Sequence, residues 1–323
     1  MATIKDVAKE AGVSTATVSR VLNNSSSLSE KTLDKVNKAM KALNYHPNAV
    51  ARSLVKGKHY SIGVMLPSLL VPFWAQIANE LEKTAAQYGY SVMITEAPSS
   101  AEAYIKKFES LRARMPDGII TSYIKDTEHY IRQSDTPTVI IGNVDYPPSV
   151  SSNDGQGGLL AARHLIAKGC KRIIHISGEM GSRSSANART HAFIKECEEK
   201  HIEYKVYQST DRQTREMDYA PVISNIFYEN PEFDGIFASN DILAAHCISM
   251  ALSLGYRIPE DIRIIGYDDI NISKLIYPPL TTIRQNYPVL AKTSVDTLLK
   301  LMEQEEVPEK QIIPVELVER KTT

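Results

Sequence analysis

The chain has 323 residues, 43% of them hydrophobic and 23% charged, with a net charge of −1. No apolar run reaches transmembrane length, and Met1 opens directly into a capped amphipathic helix, which leaves no room for a signal peptide and argues against a membrane partner. Cys170, Cys197 and Cys247 show neither metal spacing nor a pairing pattern, so they read as reduced packing thiols of a cytoplasmic protein with no cofactor and no metal. The near-neutral total hides a division: residues 1–60 hold ten Lys/Arg against four acids, a net of +6, and the remainder is −7. Charge alone describes a solvated face; on a compact head it also suits phosphates.

The elements begin with Thr3, followed three residues on by Asp6 in an acidic variant of the capping box, with Ile4, Val7, Ala8 and Ala11 on one apolar face. Gly12 ends this helix because a sharp reversal needs left-handed backbone. Ser14 then caps a second helix, Thr15 to Asn23, whose Val18, Val21 and Leu22 face inward. Thr15, Ala16, Ser19 and Arg20 face outward as candidates for base and phosphate contacts. A third helix opens at Ser29, places Glu30 in its first turn, and carries Leu33, Val36, Met40 and Leu43 on one face. This is a helix-turn-helix head over residues 1–46. Pro47 cannot continue the preceding helix but suits the first turn of another, and Asn48 to Leu54 holds good helix formers; so short a helix is marginal alone in water. Residues 47–60 therefore read as a hinge helix and linker.

After the head, strands alternate with amphipathic helices, and most strands are the aliphatic runs of a parallel sheet buried on both faces. Strands are expected at 61–66, 91–95, 118–121, 138–142, 171–177, 205–208, 235–238, 262–267, 280–283 and 311–319. Helices are expected at 72–88, 101–114, 155–168, 189–200, 214–228, 241–254 and 288–304. The fold class is α/β: an open doubly wound pattern, repeated twice, makes two parallel-sheet subdomains with a ligand between them at the carboxyl ends of their strands. At those ends lie Ser68, Phe73 and Trp74, then Asn143, Arg183, Arg189, Asn240 and Asp268. Aromatic rings stack on the apolar faces of a sugar or on a base, while Asn, Asp and Arg present paired donors and acceptors to vicinal hydroxyls. Phe73 and Trp74 equally suit the core of the following helix, and Asp241 reads as a helix cap.

Three stretches carry a family likeness: Thr3-Ile4-Lys5-Asp6-Val7-Ala8-Lys9, Gly12 through Asn23, and Tyr45-His46-Pro47-Asn48-Ala49-Val50-Ala51-Arg52-Ser53-Leu54. They resemble the signature of the lactose-repressor (LacI) family, and the likeness continues through the body. It implies a homodimeric repressor that binds double-stranded operator DNA and answers to a small-molecule effector. It assigns DNA contacts to Thr3, Ser14, Thr15, Ala16, Thr17, Ser19, Arg20, Asn23, Asn48, Ala51, Arg52 and Leu54, with Leu54 of each subunit wedged into a central base step. It gives the body, residues 61–323, the architecture of a periplasmic sugar-binding protein. One subdomain would take about 61–154 plus 286–308, the other about 155–285 plus 309–323. It adds Tyr287, an aromatic position near a crossover of the chain between the two subdomains, to the effector set, although an exposed tyrosine suits that place as well.

The segment around Arg189, Asn240-Asp241 and Gly266-Tyr267-Asp268-Asp269 match ligand loops of the family; Asn143 departs from the common Asp and His191 from the common Gly. Ser151 to Asp154 and Tyr277 to Ile283 look most like Gram-positive carbohydrate-operon regulators, sucrose regulators included. The expectation is a carbohydrate-operon repressor released by a sugar or sugar phosphate. The alternative is a purine-type regulator that its metabolite binds to DNA. No phosphate loop, dinucleotide fingerprint, nucleophile elbow or metal cluster is visible, so an enzyme or a free solute-binding protein is the weaker reading.

Overall fold

A computed structural model describes residues 2–22, 28–45, 58–122, 126–144, 148–180 and 185–323. The chain divides into two compact units, Met1–His59 and Tyr60–Thr323.

The head contains helices α1 (Ile4–Ala11), α2 (Thr15–Leu22) and α3 (Glu30–Ala42). At α1 the Thr3 side chain accepts from the Asp6 amide while the Asp6 carboxylate accepts from the Thr3 amide, closing the expected box. The Asp6 carboxyl pKa is lowered by the two bonds the carboxylate accepts from Thr3, the hydroxyl's first and the amide's second. Gly12 takes φ 65°, the left-handed turn that lets α2 start again at Ser14, whose Oγ accepts from the Thr17 amide at 3.1 Å. Val7, Ala8, Ala11, Val18, Val21, Val36 and Ala39 form the core.

The body runs β1 (Ser61–Leu66), α4 (Pro72–Gln87), β2 (Ser91–Glu96), α5 (Ala101–Arg112), β3 (Gly118–Ser122), α6 (Glu128–Arg132), β4 (Thr138–Ile141) and β5 (Ser149–Ser152). It continues with α7 (Asp154–Ala167), β6 (Arg172–Ser177), α8 (Ser185–Glu199), β7 (Glu203–Gln208), α9 (Asp211–Glu216), α10 (Ala220–Glu229), β8 (Gly235–Ala238) and α11 (Asp241–Ser253). It closes with β9 (Arg263–Asp268), α12 (Ile272–Leu275), β10 (Thr281–Gln285), α13 (Tyr287–Met302), β11 (Lys310–Ile313) and β12 (Val315–Val318). The first sheet has the order β11-β5-β4-β3-β1-β2 and is parallel throughout; the second is β12-β10-β9-β8-β6-β7, with only β12 antiparallel.

Each sheet is covered on both faces, as aliphatic strands demand. Ile62, Val64 and Leu66 of β1 join α4 and α13 on one face, and Met65 joins Tyr104 and Phe108 of α5 on the other. In the second sheet Ile264 packs toward α10 and α11, whereas Ile265 and Tyr267 pack toward α7 and α8. The chain crosses between sheets at Asn153, at Asn286 and at Pro314, and the Asn153 amide donates to the Ile313 carbonyl at 2.8 Å.

Three expectations need correction. The single strand expected at 311–319 is two strands: β11 pairs with β5 in the first sheet, and β12 with β10 in the second. The residues from Lys310 to Ile313 therefore belong with the first sheet. Pro314, which cannot donate to a ladder, stands at the switch. The helix expected over 214–228 is α9 plus α10, broken at Met217 in left-handed backbone (φ 55°), with Pro221 in the first turn of α10. Strand β5 was not expected, because Ser149-Val150-Ser151-Ser152 lacks an apolar run although all four residues are buried.

Candidate DNA-reading surface and inter-sheet cleft

On the head, Thr15, Ala16 and Arg20 are exposed on α2 and Thr17 and Ser19 are half-buried beside them, so the second helix presents one continuous polar face. Thr3 and Ser14 are exposed at the helix starts, and the Ser14 and Thr17 hydroxyls lie 2.9 Å apart. Asn23, Asn48, Ala51, Arg52 and Leu54 lie outside the described residues.

In the body the polar centre forms where α7 and α8 meet the ends of β8 and β9. Gly157 and Gly158 allow this: a Cβ on Gly158 would sit 2.1 Å from the Arg189 carbonyl oxygen, and one on Gly157 would sit 2.5 Å from the Tyr267 ring. The two helices approach backbone to backbone, which brings residues 35 positions apart into one ion pair. Arg189 Nε donates to Asp154 Oδ1 at 2.6 Å and Nη1 donates to the Ser239 carbonyl at 2.8 Å, while Cζ lies 3.5 Å from the Tyr267 ring centroid. The Tyr267 hydroxyl donates to the same Asp154 oxygen at 3.2 Å. Burial works against the guanidinium charge, but Asp154, Tyr267 and Asp268 outweigh it and raise the Arg189 pKa.

Beside this pair strand β9 ends in Asp268 and Asp269 follows it, both with left-handed backbone, at φ 107° and φ 54°. Two successive non-glycine residues in that region are strained, and the surroundings hold them there. The Asp268 carboxylate accepts from Gln285 Nε2 at 2.6 Å, and its carbonyl accepts from the Tyr287 hydroxyl at 2.7 Å. Burial pushes the Asp268 carboxyl up to about 7 against the pull of Arg189 and Gln285. Asp269 accepts from Arg284 Nε at 2.6 Å and Arg320 Nη2 at 2.5 Å; burial opposes its charge, and these arginines lower its pKa. Asp241, expected as a cap, is fully buried and accepts from the Ile270 amide and the Thr282 hydroxyl. Burial, and then the charge of Asp268, raises it well above the usual carboxylate range. The cap is Asn240: its Oδ1 accepts from the Leu243 amide at 2.8 Å and its Nδ2 donates to the Tyr219 hydroxyl at 3.0 Å.

The first sheet contributes aromatic rings. Phe73 and Trp74 open α4, edge to face with centroids 4.7 Å apart, and are half-buried. Phe73 lies 5.7 Å from the ring of Tyr287, which is buried, not exposed. Ser68 is buried with its Oγ accepting from the Leu70 amide, Asn143 is exposed at the end of β4, and Arg183 lies outside the described residues. Asp154, Gln285 and Ser239 complete the centre and were missed, and Tyr267, within a segment matched to a ligand loop, was not singled out; the glycine pair at 157–158, costly inside a helix, was the readable signal for a close approach. Among the described residues no group of three or more metal-ligating side chains is placed to hold an ion. No described helix is long and apolar enough to cross a membrane.

A helix-turn-helix unit joined to a two-sheet body, with charged and aromatic side chains at the strand ends between the sheets, defines a ligand-responsive DNA-binding protein. Residues 3–48 match the bacterial regulatory proteins of the lacI family, and residues 162–323 match a periplasmic binding protein-like domain. The ribose operon repressor of Halalkalibacterium halodurans is 36% identical, over 100% of this chain and 97% of its own. The sucrose operon repressor of Streptococcus mutans is 35% identical, over 98% of each. The crystal structure of the lac repressor dimer bound to operator and the anti-inducer ONPF superposes with a TM-score of 0.88 at 32% identity, covering 99% of this chain and 98% of that one. The chain belongs to the LacI family of bacterial regulatory proteins and is a DNA-binding transcriptional repressor.

Proposed function

We propose that this repressor controls a carbohydrate-utilisation operon, binding a pseudo-palindromic operator as a homodimer and leaving it when a sugar or sugar phosphate fills the inter-sheet cleft. The observation that carries the reading is the Arg189, Asp154, Tyr267 and Asp268 network joined through Tyr287 to the aromatic group of Phe73 and Trp74. A pyranose or furanose has the matching two-sidedness: hydroxyls around its edge for the carboxylate and guanidinium, C–H faces for the rings. The chemistry is binding without turnover, and the protein acts in the cytoplasm, where its operator lies.

Release follows if effector favours one arrangement of the two sheets about the chain crossings, since a ligand with equal affinity for both shifts nothing. The reading gives α2 the major groove and the hinge residues Asn48 to Leu54 the minor groove, with Leu54 as the wedge. The test is fluorescence-detected binding to DNA upstream of the protein's own gene, against a panel of sugars, sugar phosphates and purines. Release by a sugar compound supports induction. Tightening by a purine means corepression, and no response to any member removes the cleft as the effector site for these classes.

A further inference from the structure

The three chain crossings leave the sheets at one side. Asn153 and Pro314 adjoin β5 and β11, at one margin of the first sheet, and Asn286 and Pro314 adjoin β10 and β12, at the same margin of the second. The strands farthest from those connections are β2, with β1 beside it, in the first sheet and β7 in the second. There one side chain bridges the sheets. Arg215, on α9 after β7, donates from Nη1 to the Pro67 carbonyl at 2.5 Å and to the Ala97 carbonyl at 3.1 Å, the residues that directly follow β1 and β2. Its Nε is held by Asp211 Oδ2 at 2.7 Å, one turn earlier on the same helix.

We propose that Arg215 is a clasp across the mouth of the cleft, positioned by Asp211, that holds the two lips together and must let go for the mouth to open. Three features carry this. The contact lies at the edge opposite the covalent connections, where a given rotation of one sheet against the other moves the lips farthest. Its acceptors are the loop starts that follow β1 and β2, and the first of those loops is tied to the second strand, because the Leu69 amide donates to Glu96 Oε1 at 3.0 Å. A guanidinium on two carbonyls makes a charge-assisted pair of bonds that water competes for once the lips part. Pro67 directly precedes Ser68 and the turn into Phe73 and Trp74, so the clasp holds the segment that would line the ligand. The control it gives over effector exchange rests on the cleft being the effector site; the clasp itself does not.

The test is a distance measurement across the mouth by pulsed electron spin resonance, without ligand. Nitroxides are placed at Ser99→Cys and Asp218→Cys, both exposed, on the two lips; Cys170, Cys197 and Cys247 are buried and stay unlabelled. Labelled chain is diluted with unlabelled protein so that each measured pair lies within one subunit. Arg215→Ala is expected to lower the ratio of short to long separations about tenfold, the worth of a charge-assisted contact. Arg215→Lys should lower it nearly as much, since a single ammonium does not match the fork on two carbonyls and Asp211 together. Asp211→Asn, which leaves Arg215 in place but unheld, should fall between and serves if the alanine variant folds poorly. Distance distributions identical to the parent in all three variants would overturn the clasp. Because no ligand is added, that failure is distinct from an operator assay that finds no effector.

Discussion

The two sheets bring opposite chemistry to the cleft. The first offers Phe73, Trp74 and Tyr287, largely apolar rings whose polar groups are the Trp74 indole N–H and a phenol already bonded to Asp268. The second offers Arg189, Asp154, Asp241, Asp268 and Asp269, each held by partners from other strands and helices of its own subdomain. A buried charge network tolerates no loss of a partner, whereas an aromatic surface tolerates substitution with modest loss. The comparison teaches that the ionic wall is fixed by folding and the aromatic wall by packing, so stability and ligand response are coupled on one side and separable on the other.

The largest break in that comparison is Arg189→Ala. It leaves Asp154, 2% exposed at its side chain, without its cation, and removal of one partner from a buried pair costs about 3–5 kcal/mol. Urea unfolding should show that loss, and any operator complex that survives should no longer answer to effector; an unchanged midpoint would sink the buried-pair account. Phe73→Leu supplies the contrast: at a half-buried position that stays apolar, stability should fall by about 1 kcal/mol, while effector affinity falls more.

Gly158→Ala comes next. Alanine gains about 1 kcal/mol of helix propensity, but its Cβ would meet the Arg189 carbonyl oxygen at 2.1 Å, which forces α7 and α8 apart. The net should be a loss of about 1–3 kcal/mol with weaker effector response, because the backbone that carries Arg189 is displaced. A stabilised variant would mean that the helices yield without cost.

The residues involved explain what was legible in the sequence. The strands that are aliphatic runs, such as Ile62 to Leu66 and Ile173 to Ile176, announce themselves because a parallel sheet buries both faces. Strand β5 is hidden because buried serines look like a loop; Ser152 Oγ even lacks a hydrogen-bond partner among the described residues. The division at Pro314 is hidden because β11 and β12 share one apolar stretch, and only pairing with β5 and β10 tells them apart. At the site, Asp268 could be chosen as a polar residue at a strand end and Arg189 as one in the segment that follows a strand, but Asp154 owes its place to the close approach of α7 and α8. The cap turned on one position: both Asn240 and Asp241 suit a helix start, and the buried Thr282 hydroxyl and Ile270 amide take the Asp241 carboxylate inside and leave the cap to the Asn240 side-chain amide.

Asp268→Asn sharpens the ionic side through pH. The folded carboxyl titrates near 7 and the ordinary value is 3.8, so below about pH 4 it is protonated in both states and its contribution is fully present. As pH rises toward 7 the unfolded chain ionises first, and the folded state loses up to about 1.4 kcal/mol per pH unit. The asparagine variant should lack that loss, so the stability difference between variant and parent should grow in favour of the variant from pH 4 to 7. A constant difference across that range would place the Asp268 carboxyl at its ordinary value.

The smallest effect is expected outside the body. Thr3→Ala removes the side chain that accepts from the Asp6 amide and donates to the Asp6 carboxylate at 2.7 Å, half of the reciprocal cap on α1. Loss of such a cap costs about 1 kcal/mol. That is a large share of the stability of a core made from Val7, Ala8, Ala11, Val18, Val21, Val36 and Ala39, which belongs to a compact unit of its own. Calorimetry should therefore show a head transition that moves down by several degrees while the body transition stays. Trp74, the chain's single tryptophan, reports the body alone and should melt as before. If both transitions moved together, the head and body would unfold as one cooperative unit, and the contrast between a locally capped head and a network-held body would have to be redrawn.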